Sequence, residues 1–130
     1  MDILVDANIY LAVVLNEPEK QRIIEITKDA ELVSPEVLPY EIGNDLTAMF
    51  KRKRLSKEQI LECFNIFDII PTRLESINTF AALEIACNFN IYAYDAYYLE
   101  LALRLNLPLL TIDNQMKEVA KSLNIKLLKI

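Results

Sequence analysis

The sequence predicts an α/β fold: a mostly parallel sheet covered by helices on both faces. Two observations predict it. Short apolar, β-branched runs alternate along the chain with segments of helical periodicity, the pattern of βαβ units. The first run, Ile3-Leu4-Val5, then breaks abruptly at Asp6, and a helix-like pattern begins straight after it. In open parallel sheets, ligands collect at such carboxyl ends of strands.

Five strands are expected, at Ile3–Val5, Leu32–Val33, Phe67–Ile70, Leu109–Ile112 and Lys126–Lys129. Ile9, Leu11, Ala12 and Leu15 space a first helix, and Ile23, Ile24 and Thr27 a second. Ser34-Pro35 reads as the N-cap and first position of the next helix, which Pro39 kinks or restarts and which runs on to Arg54. Ser56-Lys57-Glu58-Gln59 resembles a capping box ahead of Ile60, Leu61 and Phe64, which with Phe67 form an apolar stripe expected in the core or, in part, in a partner groove. Helical spacing recurs over Thr79 to Phe89, Asp95 to Leu105 and Gln115 to Leu123. With no repeat, linker or low-complexity stretch in 130 residues, the reading is a single domain, 1–130.

Composition removes much of the catalytic menu. There is no His, so no imidazole base and no Ser-His-Asp or Cys-His nucleophile. The single glycine excludes both common phosphate-cradling loops. Cys63 and Cys87 have no zinc-type spacing and are expected as buried thiols in a reducing cytoplasm. No apolar run reaches the length of a membrane span and no signal peptide is evident. A net charge of −5 argues against a general nucleic-acid coat, whereas acids gathered in one pocket attract divalent cations.

Four acids stand at positions where a pocket forms. Asp6 follows the first strand and Asp113 the fourth, and in doubly wound sheets those strands are often neighbours across the switch point. Asp95 opens the helix leading into the fourth strand, and Glu41 lies early on a helix that otherwise reads as apolar. Asp6, Asp95 and Asp113 also read as simple N-caps, and Glu41 as one residue of a solvated face. Carboxylates held together stay ionised only with a neutralising cation. Oxygen ligands without His or thiolate suit Mg²⁺ or Mn²⁺, which activate water without any histidine.

The order Leu-Val-Asp-Ala-Asn (4–8), Tyr-Glu-Ile-x-Asn-Asp-Leu (40–46), Tyr-Asp-Ala-Tyr-Tyr-Leu-x-Leu-Ala (94–102) and Pro-Leu-Leu-Thr-Ile-Asp (108–113) resembles the PIN domain. More narrowly it resembles the VapC-like toxins of type II toxin–antitoxin pairs. The resemblance covers nearly the whole chain. It implies a PIN-like three-layer sandwich and a metal-dependent endoribonuclease whose acidic quartet maps onto Asp6, Glu41, Asp95 and Asp113. Asn8 and Thr111 match polar positions that line such a pocket. A homodimer and a small antitoxin that blocks the site are implied as partners beside the RNA substrate. Gly43, two residues after Glu41, departs from the expected helix former and is read as a close helix contact.

Two further features bear on RNA. Lys51-Arg52-Lys53-Arg54 is either a phosphate-binding run, with Lys51 and Arg52 as candidates, or a helix C-terminus whose cations complement the dipole. Tyr92, Tyr94, Tyr97 and Tyr98 suit base stacking, core packing or a dimer surface. The competing assignments are a housekeeping RNA-processing nuclease of the same fold, a non-catalytic metal-binding scaffold, and a haloacid-dehalogenase-type phosphatase. The last requires a general acid where Asn8 stands.

Overall fold

A computed structural model describes all 130 residues. The elements in chain order are β1 (Asp2–Val5), α1 (Ala7–Val14), α2 (Lys20–Thr27), β2 (Glu31–Pro35), α3 (Leu38–Lys51), α4 (Lys57–Asp68), β3 (Arg73–Glu75), α5 (Thr79–Phe89), α6 (Ala93–Leu105), β4 (Leu109–Leu110) and α7 (Asn114–Ser122). The strands form one parallel sheet in the order β3-β2-β1-β4. The α/β class and the parallel sheet are as the sequence predicts, with four strands in place of five. At the chain end Leu127 makes a single bridge to Leu109, so the expected fifth strand is reduced to one rung.

The central strands are buried on both faces, which is why they read as unbroken apolar runs: Ile3, Leu4, Val5, Leu109 and Leu110 are all fully buried. Helices flank the sheet; α6 lies against β1 and β2 and packs with α5 and α7, while α1 packs with α2, α3 and α4. Because the order reverses between β1 and β4, the switch point falls between those two strands. No helix is long and apolar enough to cross a membrane.

Several local expectations give way to tertiary structure. Phe67–Ile70 is not a strand: the Ser56 capping box is fully made, Ser56 Oγ accepting from the Gln59 amide at 3.1 Å, and α4 runs from it through Asp68. Phe67 is then a buried helical position, edge-on to Tyr10 with ring centroids 5.3 Å apart. The third strand is the less apolar Arg73–Glu75, secured by backbone pairing with β2 and by Arg73, whose guanidinium reaches Asp2, Glu31 and Glu75 at 3.4, 3.0 and 2.8 Å. A polar edge strand leaves no hydrophobic signal to find.

Ser34 and Pro35 end β2 rather than open a helix; the buried Ser34 hydroxyl donates to the Val5 carbonyl at 2.6 Å. The helix starts at Leu38, with Pro39 in its first turn, where no N–H is needed. Of the stripe on α4, only Phe67 is buried, Ile60 and Phe64 are half-buried and Leu61 is exposed. Cys63 is half-buried, its thiol donating to the Val14 carbonyl, whereas Cys87 is exposed, against the expectation of two buried thiols. With one glycine available, the chain uses asparagine for left-handed turns: Asn16, Asn90, Asn106 and Asn124 all have φ between 53° and 60°.

Gly43 marks no close approach, since a Cβ added there meets nothing within 4 Å. Gly43→Ala is therefore expected to raise unfolding free energy by about 0.5–1 kcal/mol, because glycine in a helix interior loses the most backbone entropy on folding. Urea denaturation with an unchanged slope checks this.

Candidate active site

The topology carries four acids to one edge of the sheet. Asp6 follows β1 and is the residue preceding α1; Glu41 lies in the first turn of α3, which follows β2. Asp95 lies in the first turn of α6, which runs back down to β4, and Asp113 caps α7 just after β4. Parallel strands connected through helices put all these points at the carboxyl edge, and Asp6 stands at the switch point.

Register sets the first contact. Val5 pairs with Leu110, so the next residues, Asp6 and Thr111, come side by side. The Thr111 hydroxyl donates to Asp6 Oδ2 at 2.8 Å and accepts the Asp113 amide at 3.0 Å. Asp113 Oδ1 in turn accepts the Met116 amide at 2.8 Å, a true N-cap. Asp6 occupies the N-cap position of α1 but its side chain makes no capping bond. Its carboxylate instead meets the Thr111 hydroxyl across the sheet. From α6, the Tyr98 hydroxyl donates to Glu41 Oε1 at 2.7 Å and ties the start of α3 to α6. Asp95 lies at N3 of α6, behind Tyr92 as cap, and neither it nor Tyr92 makes a side-chain cap bond.

Burial and the charges of their neighbours act on these groups in the same direction. Burial pushes the Asp6 carboxyl up to about 7; the Thr111 hydrogen bond opposes that, and the charges of Glu41, Asp95 and Asp113 add to it. Glu41 is likewise pushed up to about 7, mainly by burial, with Asp45 and Asp95 adding and the Tyr98 hydrogen bond opposing. Asp95 is raised by burial and by Asp113. Tyr98, fully buried, is raised far above its ordinary value by burial and by the neighbouring Glu41.

Asp45 is the residue that sequence reasoning missed. One turn beyond Glu41 on α3, it is half-buried, its own carboxyl is raised by burial, and its charge acts on Glu41. The signal was present in Asn44-Asp45, at the i+4 spacing that shares a helix face.

None of these five carboxylates pairs with a Lys or Arg; every ion pair in the molecule lies elsewhere. Each of Asp6, Glu41 and Asp113 has one oxygen held by a neutral donor and one with no protein donor. Such a hard-oxygen, His-free donor set suits Mg²⁺ or Mn²⁺ in kind. As placed, no three acids are grouped closely enough to ligate one ion together.

The other expected residues are more scattered. Asn8 is exposed in the first turn of α1, two residues from Asp6, and Thr111 is buried beneath the pocket. Lys51 and Arg52 are exposed at the far end of α3, ten residues and about 15 Å along the helix from Glu41. The structure does not bring them to the acids. The tyrosine cluster divides: Tyr98 is buried against Glu41, Tyr97 packs edge-on to Tyr94, and Tyr92 is 85% exposed.

Comparison with known proteins agrees with this architecture. The family model for the PIN domain matches residues 3–122. No curated protein matches the chain. Among solved structures, VapBC2 from Rickettsia felis bound to a DNA fragment from their promoter aligns with TM-score 0.71 and 17% identity, covering 98% of each chain. PAE2754 from Pyrobaculum aerophilum gives TM-score 0.72 and 21% identity over 92% of this chain and 87% of its own. FitAcB from Neisseria gonorrhoeae gives 0.64 and 14% over 98% and 96%. At these identities the likeness is one of fold.

Proposed function

The chain belongs to the PIN domain family, and from that premise we propose that it is a Mg²⁺- or Mn²⁺-dependent endoribonuclease, the toxin of a toxin–antitoxin pair. PIN domains are generally nucleases that use divalent metals. The observation that carries the reading is uncompensated charge: Asp6, Glu41, Asp45, Asp95 and Asp113 gather at one sheet edge with no protein cation paired to any of them.

Asp6, Asp95 and Asp113 are the residues to hold the ion, with Glu41 ligating it or orienting the attacking water. When bound, the ion supplies the missing positive charge, lowers the pKa of a water and steadies charge on the phosphoryl group. The chain itself supplies orientation. Thr111 fixes Asp6 and is itself fixed by the Asp113 amide, so the two strand-end acids are held in one hydrogen-bonded unit. Asn8, exposed in the first turn of α1 two residues from Asp6, is the polar side chain offered to the substrate. Lys51 and Arg52, exposed at the far end of α3, are basic side chains suited to RNA phosphates away from the acids.

The fold neighbours VapBC2 and FitAcB support an antitoxin as partner. A homodimer, as the family resemblance implies, and a reducing cytoplasm, as the free thiols of Cys63 and Cys87 suggest, complete the reading. The test is cleavage of unpaired and folded RNAs with Mn²⁺, with EDTA, and with Asp6→Asn. Cleavage that needs the metal and Asp6 is the expected result. Cleavage indifferent to EDTA overturns the mechanism, and Mn²⁺ binding without any cleavage points to a non-catalytic scaffold.

A further inference from the structure

Tyr98 has no obvious reason to be a tyrosine. It is the largest fully buried side chain, on a face of α6 where Leu99, Leu101 and Ala102 are also buried and apolar, and a phenyl ring would fill that space. A buried hydroxyl needs a partner. The one hydrogen bond that Tyr98 makes goes to Glu41 Oε1, at 2.7 Å, from a helix 57 residues further along the chain. No other side chain donates to Glu41, and no Lys or Arg pairs with it.

The arrangement repeats around the pocket. Asp6 has Oδ2 held by the Thr111 hydroxyl, and Asp113 has Oδ1 held by the Met116 amide. In each case one oxygen is anchored by a neutral donor and the other is left over. A neutral anchor orients a carboxylate without cancelling its charge, whereas a Lys or Arg would compete with an incoming cation. Hydrogen bonds behind metal ligands commonly serve this purpose.

We infer that Tyr98 is a positioning residue: its hydroxyl anchors Glu41 Oε1 and thereby presents Glu41 Oε2 to the divalent ion and its water. The inference rests on the metal-binding reading of the acidic edge. Tyr98 touches neither ion nor substrate; it acts through Glu41 alone. Its counterpart, Thr111, is built into the sheet register, whereas Tyr98 comes from a separate helix and reaches Glu41 by this one bond.

Mn²⁺ affinity measured by calorimetry on wild type, Tyr98→Phe, Glu41→Gln and the double variant tests this. Tyr98→Phe is expected to weaken Mn²⁺ binding by about 10–100-fold, the range typical for such outer partners. In the Glu41→Gln background the same change is expected to do almost nothing, because the carboxylate through which Tyr98 acts is gone. A structural role alone lowers affinity in both backgrounds, and that outcome overturns the proposal. So does unchanged affinity in Tyr98→Phe. If Tyr98→Phe fails to fold because Glu41 is left without its donor, the double variant lacks that charge and still permits the comparison with Glu41→Gln. Equal affinities there support the proposal and a further loss overturns it. Wild type that binds no Mn²⁺ overturns the metal-binding reading and the role of Tyr98 together, whereas wild-type binding that Tyr98→Phe leaves intact removes only the latter.

Discussion

Asp6→Asn is expected to abolish RNA cleavage and, in the absence of metal, to make the protein more stable. Loss of even an outer partner of a metal ligand typically costs 10–100-fold, so loss of the ligand itself is expected to lower the cleavage rate by more than about a hundredfold. Stability moves the other way. Asp6 is 2% exposed and ionises near 7 rather than 3.8, so its charge is a burden on the folded state whenever no cation meets it. At 1.36 kcal/mol per pH unit, removing that charge is worth on the order of 4 kcal/mol well above pH 7, or roughly 15 °C in melting temperature. The Asn carbonyl can still accept from Thr111. Thermal unfolding in EDTA at pH 8, beside an RNA cleavage assay, gives both readings. A variant that is inactive and also less stable argues that Asp6 is a structural residue.

The same burial sets a pH dependence in the metal-free protein. A carboxyl raised on folding binds its proton more tightly in the folded than in the unfolded state, so stability falls as pH rises between the two values. For Asp6 that window runs from about 3.8 to about 7, and for Glu41 from about 4.5 to about 7. Below the window the contribution is fully present, and above it the loss is complete. The stability difference between Asp6→Asn and wild type is therefore expected to widen from pH 4 to pH 7 and then level off. Added Mn²⁺ is expected to raise the wild-type melting temperature more at pH 8 than at pH 5, since only ionised carboxylates ligate. Calorimetry at four pH values, with and without the ion, checks both. A difference between variant and wild type that does not change with pH overturns the assignment of Asp6 as the raised group.

The class of fold and the chemical character of the site are legible in the local pattern of the chain. Ile3-Leu4-Val5 and Leu109-Leu110 are apolar without alternation because strands buried on both faces admit nothing else. The absence of His and the near absence of Gly restricted the chemistry before any coordinates were known. The acids Asp6, Glu41, Asp95 and Asp113 were each visible at the end of a strand or the start of a helix, where local pattern marks the positions.

How those acids are held, and what accompanies them, depends on which elements meet in the folded chain. Strand register, which no local pattern contains, placed Thr111 against Asp6. The course of α6 along β1 and β2 brought Tyr98 within reach of Glu41 across 57 residues. Lys51 and Arg52 stay apart from the acids because one helix carries Glu41 in its first turn and those cations at its end. The polar strand Arg73–Glu75 exists through pairing with its neighbour and carries no apolar signature of its own. Hydrophobic periodicity reports which side of an element is buried. It does not report which elements meet, and a carboxylate's partner is a property of the meeting.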